Sequence, residues 1–273
     1  MNTPFLRWVG GKNDQLEDLL LRAPHRASPY RYLEAFVGGG ALFFKLRSLG
    51  LVSRAVLADS NERLVRCYRA VRDAPGRVAD LVERWPVHRD WYFRVRDWQV
   101  DAGDDVEVAA WVVYVNHAGY GGMYRVSAQG RFNTPYDEAH DGQPWAGRER
   151  LHAASVALRG VDVVAGDFAD VLAAHARRGW FSYFDPPYLT TSSAEFANGY
   201  SRRGFGRRDH ERLAQAAALA RANGVGVLAS NSSAAAPIWK AQGFRVELLE
   251  GRRMIGRKFE GAAPRAVEMI AVG

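Results

Sequence analysis

Runs of β-branched and aromatic residues alternate with helix-period segments along most of this chain. That alternation constrains the fold more than any other feature. RYLEAF (31–36) reads as a short strand, followed by the glycine turn VGGG and a helical ALFFKLRSLG. SRAVLAD (53–59) reads as the next strand, ahead of a helix over 61–72. VDVVAG (161–166), WFSYF (180–184) and VGVLAS (225–230) read as further strands. Helices are expected at DFADVLAAHARR, 208–222 and 234–241, and final strands at 243–250 and 265–272. Strands separated by helices predict a largely parallel α/β sheet. In such sheets ligands bind beyond the carboxyl ends of the strands, where the strand order reverses. Glu34 to Gly40, Asp59, Asp167, Asp185 and Asn231 each follow a strand, so they are expected along one edge.

The middle of the chain breaks the pattern. Helical periodicity runs through 76–100 and 105–117. From 117 to 147 the sequence is rich in Gly, Asn, Pro, Tyr and Arg, with little period of its own. That is too long for an ordinary loop and reads as a functional module or lid.

Composition sets bounds. Hydrophobic residues make up 48% of the 273 residues and charged residues 25%, which suits a globular protein. No run of roughly 18 apolar residues occurs, so no membrane span is expected. The opening MNTPFLRWVGGKNDQ lacks the apolar stretch of a signal peptide, and a cytoplasmic protein is expected. The single cysteine, Cys67, excludes an internal disulfide and a multi-cysteine metal site. No His/Cys/carboxylate spacing typical of zinc is present, so no metal is expected. Lys and Arg number 37 against 30 Asp and Glu, a net charge of +7 that favours a polyanionic partner. The preference for Arg over Lys equally suits a GC-rich genome.

Two stretches carry chemistry. YFDPPYL (183–189) ends a buried strand on Asp185, two prolines and Tyr188. A carboxylate there needs a partner, because an unpaired buried charge is costly. Consecutive prolines remove two backbone donors and stiffen the turn, leaving an acceptor-rich corner beside an aromatic ring. FVGGG (36–40) lies between strand and helix, where glycines permit close backbone approach to a ligand. Gly38 and Gly40 match the first two glycines of a dinucleotide fingerprint, but Phe43 holds the third position, so nicotinamide binding is weakly supported. A phosphate-binding P-loop is excluded, since no G-K-[ST] follows. Asp59 ends the second strand, where an acid can bind ribose hydroxyls. A ribose-bearing cofactor without pyrophosphate, such as S-adenosylmethionine, suits the pair; a purely structural turn is the alternative.

Six segments in order also resemble a known family. PFLRWVGGK (4–12), LEAFVGGGALFF (33–44), LADSNERLV (57–65), NHAGYGGMYRVSAQGRFNTPY (116–136), GDF (166–168) and FDPPY (184–188) are similar to the motifs of Dam-type DNA adenine N6-methyltransferases. The resemblance implies a mostly parallel, Rossmann-like catalytic sheet in two parts, 1–60 and 148–273. Between them it implies a mainly helical target-recognition insertion at 61–147. It implies methyl transfer from S-adenosylmethionine to N6 of an adenine flipped out of double-stranded DNA, by a monomer.

The catalytic set is then Asp185, Pro186, Pro187 and Tyr188. Asp185 and the Pro186 carbonyl would accept the two N–H bonds of the amine, and Tyr188 would stack the base. Cofactor contacts implied are Trp8, Lys12 (for the methionine carboxylate), Phe36, Gly38, Gly40 and Asp59, with Asp167, Phe168 and Asp185. DNA contacts implied are Arg7, Tyr120, Met123, Arg125, Asn133, Pro135 and Tyr136. Arg125 is the candidate for a bidentate guanine contact. Tyr124 joins Tyr120, Met123 and Tyr136 as a possible wedge, and Arg131, Arg202, Arg203, Arg207 and Arg208 are candidate phosphate contacts. Segment 190–208 is expected to close over substrate. SNSS (230–233) supplies polar groups at a strand end near the point of reversal, and a cap for the helix at 234–241 is the preferred reading. Ala35 replaces the family's usual proline, and Gly121 a frequent asparagine. Cytosine N4, RNA, or a non-catalytic DNA-binding role remain the alternatives at this stage.

Overall fold

A computed structural model of the chain describes residues 4–8, 12, 15–23, 29–127, 129–190, 204–251 and 266–273. Among the described residues seven strands form one sheet: β1 (Tyr30–Glu34), β2 (Val52–Asp59), β3 (Val161–Ala165), β4 (Trp180–Phe184), β5 (Gly226–Ser232), β6 (Arg245–Gly251) and β7 (Ala266–Val272), in the order 3-2-1-4-5-7-6. β1 to β5 pair parallel. β7 runs antiparallel between β5 and β6. The order reverses between β1 and β4, so the crevice beyond Glu34 and Phe184 is where a ligand site is expected.

The central strands β1, β4 and β5 are buried on both faces along most of their length, as their near-continuous apolar runs require, while the edge strands β3 and β6 carry exposed residues. Tyr32, Phe181 and Tyr183 point into one apolar cluster; Leu33, Trp180 and Phe184 point into the other. The second cluster is closed by α8 (Phe168–His175), α9 (Arg207–Ala222) and α10 (Ala236–Ala241). The first is closed by α1 (Leu16–Arg22), α2 (Ala41–Ser48), α3 (Glu62–Asp73), α4 (Pro75–Glu83), α5 (Arg89–Arg96), α6 (Asp105–Ala118) and α7 (Arg148–Leu158). The helices between β2 and β3 thus share a continuous core with the sheet. Each large apolar side chain hidden there, such as Phe43 or Trp111, contributes about 1.5–3 kcal/mol of transfer free energy.

The single helical stretch expected over 76–100 is divided. α4 starts on Pro75 at its first turn and ends at Glu83, and α5 begins only at Arg89. Pro86 accounts for the break, since its missing N–H and its ring cannot continue a helix. His88 restarts the next one, its Nδ1 accepting from the Trp91 N–H at 3.4 Å. α6 is buried nearly all round and opens on a capping box. Asp104 Oδ1 accepts from Val106 and Glu107 N–H, both at 2.9 Å, while Glu107 Oε2 accepts from Asp104 N–H at 2.8 Å.

The 117–147 stretch has more structure than its sequence suggests. Antiparallel bridges Gly119–Tyr136 and Val126–Phe132 fold its described residues into a hairpin-like loop at the end of α6. A short 3-10 turn at 120–122 lies just inside the first bridge, and another at 138–140 follows it.

Candidate active site

The D-P-P-Y turn leaves β4 next to the end of β1, with Tyr183 opposite Glu34 in register. Asp185 is therefore delivered to the point of reversal. Its Oδ1 accepts from Lys12 Nζ at 2.9 Å and from Ser230 Oγ at 3.0 Å. Burial pushes its carboxyl above the ordinary value, and Lys12 is the main counterweight. Asn231 on β5 clamps the rest of the turn. Its Nδ2 donates to the Pro186 carbonyl at 3.1 Å, and its Oδ1 accepts from Leu189 N–H at 3.0 Å. Ser232 Oγ donates to the Leu189 carbonyl at 2.6 Å. The Tyr188 hydroxyl accepts from Lys12 Nζ at 3.0 Å and donates to Glu268 of β7. The Lys12 ammonium also lies 4.7 Å from the Tyr188 ring centroid.

These clamps correct the sequence reading of SNSS. Ser232 does stand before a 3-10 turn, but it makes no side-chain cap there. The strand runs on through Ser232, and its polar side chains grip the neighbouring turn instead. Polar residues at the end of a buried parallel strand were the available signal. Glu34 and Glu268 were given no role from sequence. Glu34 is 2% exposed, accepts from Tyr32 Oη at 3.0 Å, and lines the pocket. Burial, with Asp185 and Asp59 nearby, drives its carboxyl well above the ordinary range.

A cavity of about 320 Å³ opens beside the turn, within the range of small-molecule sites. Trp8, Lys12, Phe36, Gly38, Gly40, Asp59 and the whole of Asp185–Tyr188 line it together. The glycine turn between β1 and α2 is left-handed at Gly38 (φ 45°) and Gly40 (φ 67°). Its closest neighbours are side chains of this chain. A Cβ on Gly38 would lie 2.7 Å from Trp8 Nε1, and one on Gly40 would lie 2.9 Å from Tyr68 Oη. Asp59 braces the same turn: Oδ2 accepts from Gly38 N–H at 3.2 Å, and Oδ1 from Asn61 N–H at 3.0 Å. The cap of α3 is Asn61, whose Oδ1 accepts from Leu64 N–H at 3.3 Å. Among the described residues no group of three or more His, Cys, Asp or Glu side chains could hold a metal, and no helix is long and apolar enough to cross a membrane.

Asp167 and Phe168 are not among the residues lining this cavity. Asp167 caps α8 through Ala169 N–H at 2.9 Å and pairs with Arg212 at 2.6 Å. Phe168 is buried behind Phe36, ring centroids 5.6 Å apart. Phe205, unremarked in the sequence, packs on both and does line the cavity.

The residues assigned to DNA from sequence divide into an exposed and a buried set. Tyr120, Arg125 and Pro135 are exposed; Met123 and Asn133 are half-buried beside them. Asn133 holds Arg125, its Oδ1 accepting from Nε at 2.9 Å and its carbonyl from Nη2 at 3.0 Å. Tyr136 is corrected to a core residue: it is 5% exposed, packs on Tyr92 at 5.3 Å and donates to Asp141 at 2.8 Å. Tyr124 is buried likewise, stacked on Trp8 at 5.8 Å. Alternation along the hairpin turns these two rings inward. Arg7 has an exposed side chain, but its guanidinium caps the end of α6, donating to the carbonyls of Asn116 at 3.1 Å and His117 at 2.6 Å. Arg131 and Arg208 are exposed, and Arg207 pairs with Glu211 at 3.0 Å. Arg202, Arg203 and most of segment 190–208 lie outside the described residues.

Comparison with known proteins agrees with this geometry. The profile of the D12 class N6 adenine-specific DNA methyltransferases matches residues 8–254. A type II methyltransferase of Lactococcus lactis subsp. cremoris, M1.LlaDCHI, is 30% identical over 93% of this chain and 90% of its own length. A second, M.MjaIII of Methanocaldococcus jannaschii, is 30% identical over 93% of both chains. A DNA adenine methylase of Vibrio cholerae is 26% identical over 94% of this chain and 91% of its own. The matched span runs from Trp8 beside the cavity through the D-P-P-Y turn to β6. By this match over most of its length, the chain belongs to the D12 class N6 adenine-specific DNA methyltransferases.

Proposed function

We propose that this chain transfers a methyl group from S-adenosylmethionine to N6 of an adenine drawn out of duplex DNA, at the corner formed by Asp185, Pro186 and Tyr188. The observation that carries this reading is the clamping of two acceptors on one rigid turn, Asp185 by Lys12 and Ser230 and the Pro186 carbonyl by Asn231. An exocyclic amine is a poor nucleophile because its lone pair is delocalised into the ring. Two fixed acceptors, one for each N–H, localise that pair on the side away from them. Both Lys12 and Ser230 engage Oδ1, which leaves Oδ2 for the substrate. A carbonyl oxygen has two lone pairs, so Pro186 can accept from the base while still accepting from Asn231. Fixed dipoles of this kind act without reorganisation when charge develops.

The pocket residues fit the cofactor. Asp59 offers a carboxylate for ribose hydroxyls at the end of β2, the braced glycine turn gives a close backbone wall, and Phe36 and Phe205 present flat apolar faces. When bound, S-adenosylmethionine supplies an electrophilic methyl group on a sulfonium. Transfer would break the methyl carbon–sulfur bond, leaving a neutral thioether, and the N6 nitrogen would give up one hydrogen as a proton, for which Asp185 is the nearest base of the turn. Tyr188 provides the stacking surface for the base. Lys12, with its ammonium committed to Asp185 and Tyr188, keeps the acceptor and the stacking ring in register. The described part of 116–136, with Arg125 foremost, reads the duplex, and 61–147 is the recognition insertion carried on the shared core.

Asp185→Ala tests this. Methyl transfer should fall by at least about 10²–10³-fold, with retained DNA binding in a gel-shift assay. Undiminished turnover would remove Asp185 from the mechanism.

A further inference from the structure

Glu268 is the carboxylate that meets the hydroxyl of Tyr188, and methyl transfer as proposed gives it no part. It stands on β7, in register with Ser232 of β5 and Leu249 of β6, so two hydrogen-bonded neighbours fix its backbone. Its Oε2 accepts from the Tyr188 hydroxyl. The same hydroxyl accepts from Lys12 Nζ at 3.0 Å, and Lys12 pairs with Asp185 at 2.9 Å. A directional chain results. Lys12 donates to Asp185 and to Tyr188, and Tyr188 donates onward to Glu268.

A tyrosine side chain turns about two torsions. The turn held by Asn231 fixes the Tyr188 backbone, and two opposed hydrogen bonds fix the far end of the ring. A ring held at both ends presents one plane. Burial, with Asp185 and Glu268 close by, keeps the phenol protonated far above neutral pH, so the hydroxyl remains a donor throughout the working range. The strand that supplies Glu268 lies across β5 from the D-P-P-Y turn and shares no backbone with it.

We infer that Glu268 is a positioning residue for methyl transfer. By accepting from the Tyr188 hydroxyl it sets the plane against which the target base is held, and through Lys12 it ties that plane to the Asp185 acceptor. This rests on the reading of Tyr188 as the stacking surface. Stacking and in-line attack tolerate little misplacement, so the effect falls on kcat more than on cofactor affinity.

The test uses the full chain, unmethylated genomic DNA and tritiated S-adenosylmethionine. Glu268→Ala should lower kcat about tenfold, with calorimetric cofactor affinity and thermal midpoint close to those of the unaltered chain. Glu268→Gln, whose amide oxygen accepts the same bond, should recover most of that loss. In a Tyr188→Phe background, adding Glu268→Ala should cost less than about twofold, because the hydroxyl is already gone. Full activity of Glu268→Ala overturns the inference. An equal loss in the Tyr188→Phe background overturns it too, since Glu268 would then act independently of the hydroxyl. So does a lowered thermal midpoint without rescue by Gln, which marks a structural role. If Tyr188→Ala is itself fully active, the stacking reading falls and this inference with it.

Discussion

Asp185 and Glu34 are two carboxyl groups beside one pocket, and burial raises both while their partners differ. Asp185 has a cation 2.9 Å away that offsets part of the cost of its burial; Glu34 has a phenol and two acidic neighbours, and its carboxyl is driven well above the ordinary value. The consequence for stability can be signed. Glu34 has an ordinary value of 4.5 and a folded value well above it. Between the two the folded chain binds more protons than the unfolded chain, so stability falls as pH rises, by at most about 1.4 kcal/mol per pH unit. Glu34→Gln keeps the shape and the bond from Tyr32 but has no proton to lose. Its thermal midpoint should gain on that of the unaltered chain as pH increases; parallel curves would show that Glu34 is ionised. The raised carboxyl of Asp185 gives the matching expectation for activity, which should decline as acid protonates the acceptor. At this scale the sequence was partly legible. Asp185 and Tyr188 stood out because a carboxylate, two prolines and a ring rarely end a buried strand. Ser230 and Asn231 were legible only as polar residues near the ligand edge and Glu268 not at all, because their partners lie on another strand and no local spacing records the pairing.

The glycine turn shows what an element adds to its residues. Sequence suggested that its glycines make room for a ligand; the structure shows that Trp8 and Tyr68 already occupy the space a Cβ would need. Gly38→Ala would force a side chain into a left-handed backbone and against the Trp8 indole. A cost of about 1–3 kcal/mol in stability is expected, with weakened cofactor binding by calorimetry, since Trp8 also lines the cavity. An unchanged midpoint would mean that the turn relaxes freely. The recognition hairpin is a second case. Composition marked 117–147 as functional, but period could not show that Tyr124 and Tyr136 turn into the core while Arg125 stays out. With Asn133 bracing its guanidinium, Arg125 is suited to bidentate contact with a base edge. Arg125→Ala should relax preference at one base pair by about 1–3 kcal/mol. Equal loss at every site in a competition assay would make it a phosphate contact.

Across the whole molecule, the alternation of strands and helices was enough to place the site. Five parallel strands came from sequence period alone, and the reversal between β1 and β4 brings Asp59, the glycine turn and Asp185 to one crevice. The pairing of β7 between β5 and β6 was not readable, because a two-residue period fixes which face is buried and not which neighbour is chosen. The net charge of +7 also acts at this scale. DNA affinity should fall steeply with salt, and three phosphate contacts alone would give roughly a 40-fold loss from about 50 to about 200 mM. The most direct measurement of all is the identity of the modified nucleoside. Unmethylated DNA treated with the chain and S-adenosylmethionine, then digested to nucleosides, should contain N6-methyladenine, and the Asp185→Ala chain should leave none. N4-methylcytosine, or no modified base from a folded and DNA-bound chain, would contradict the account.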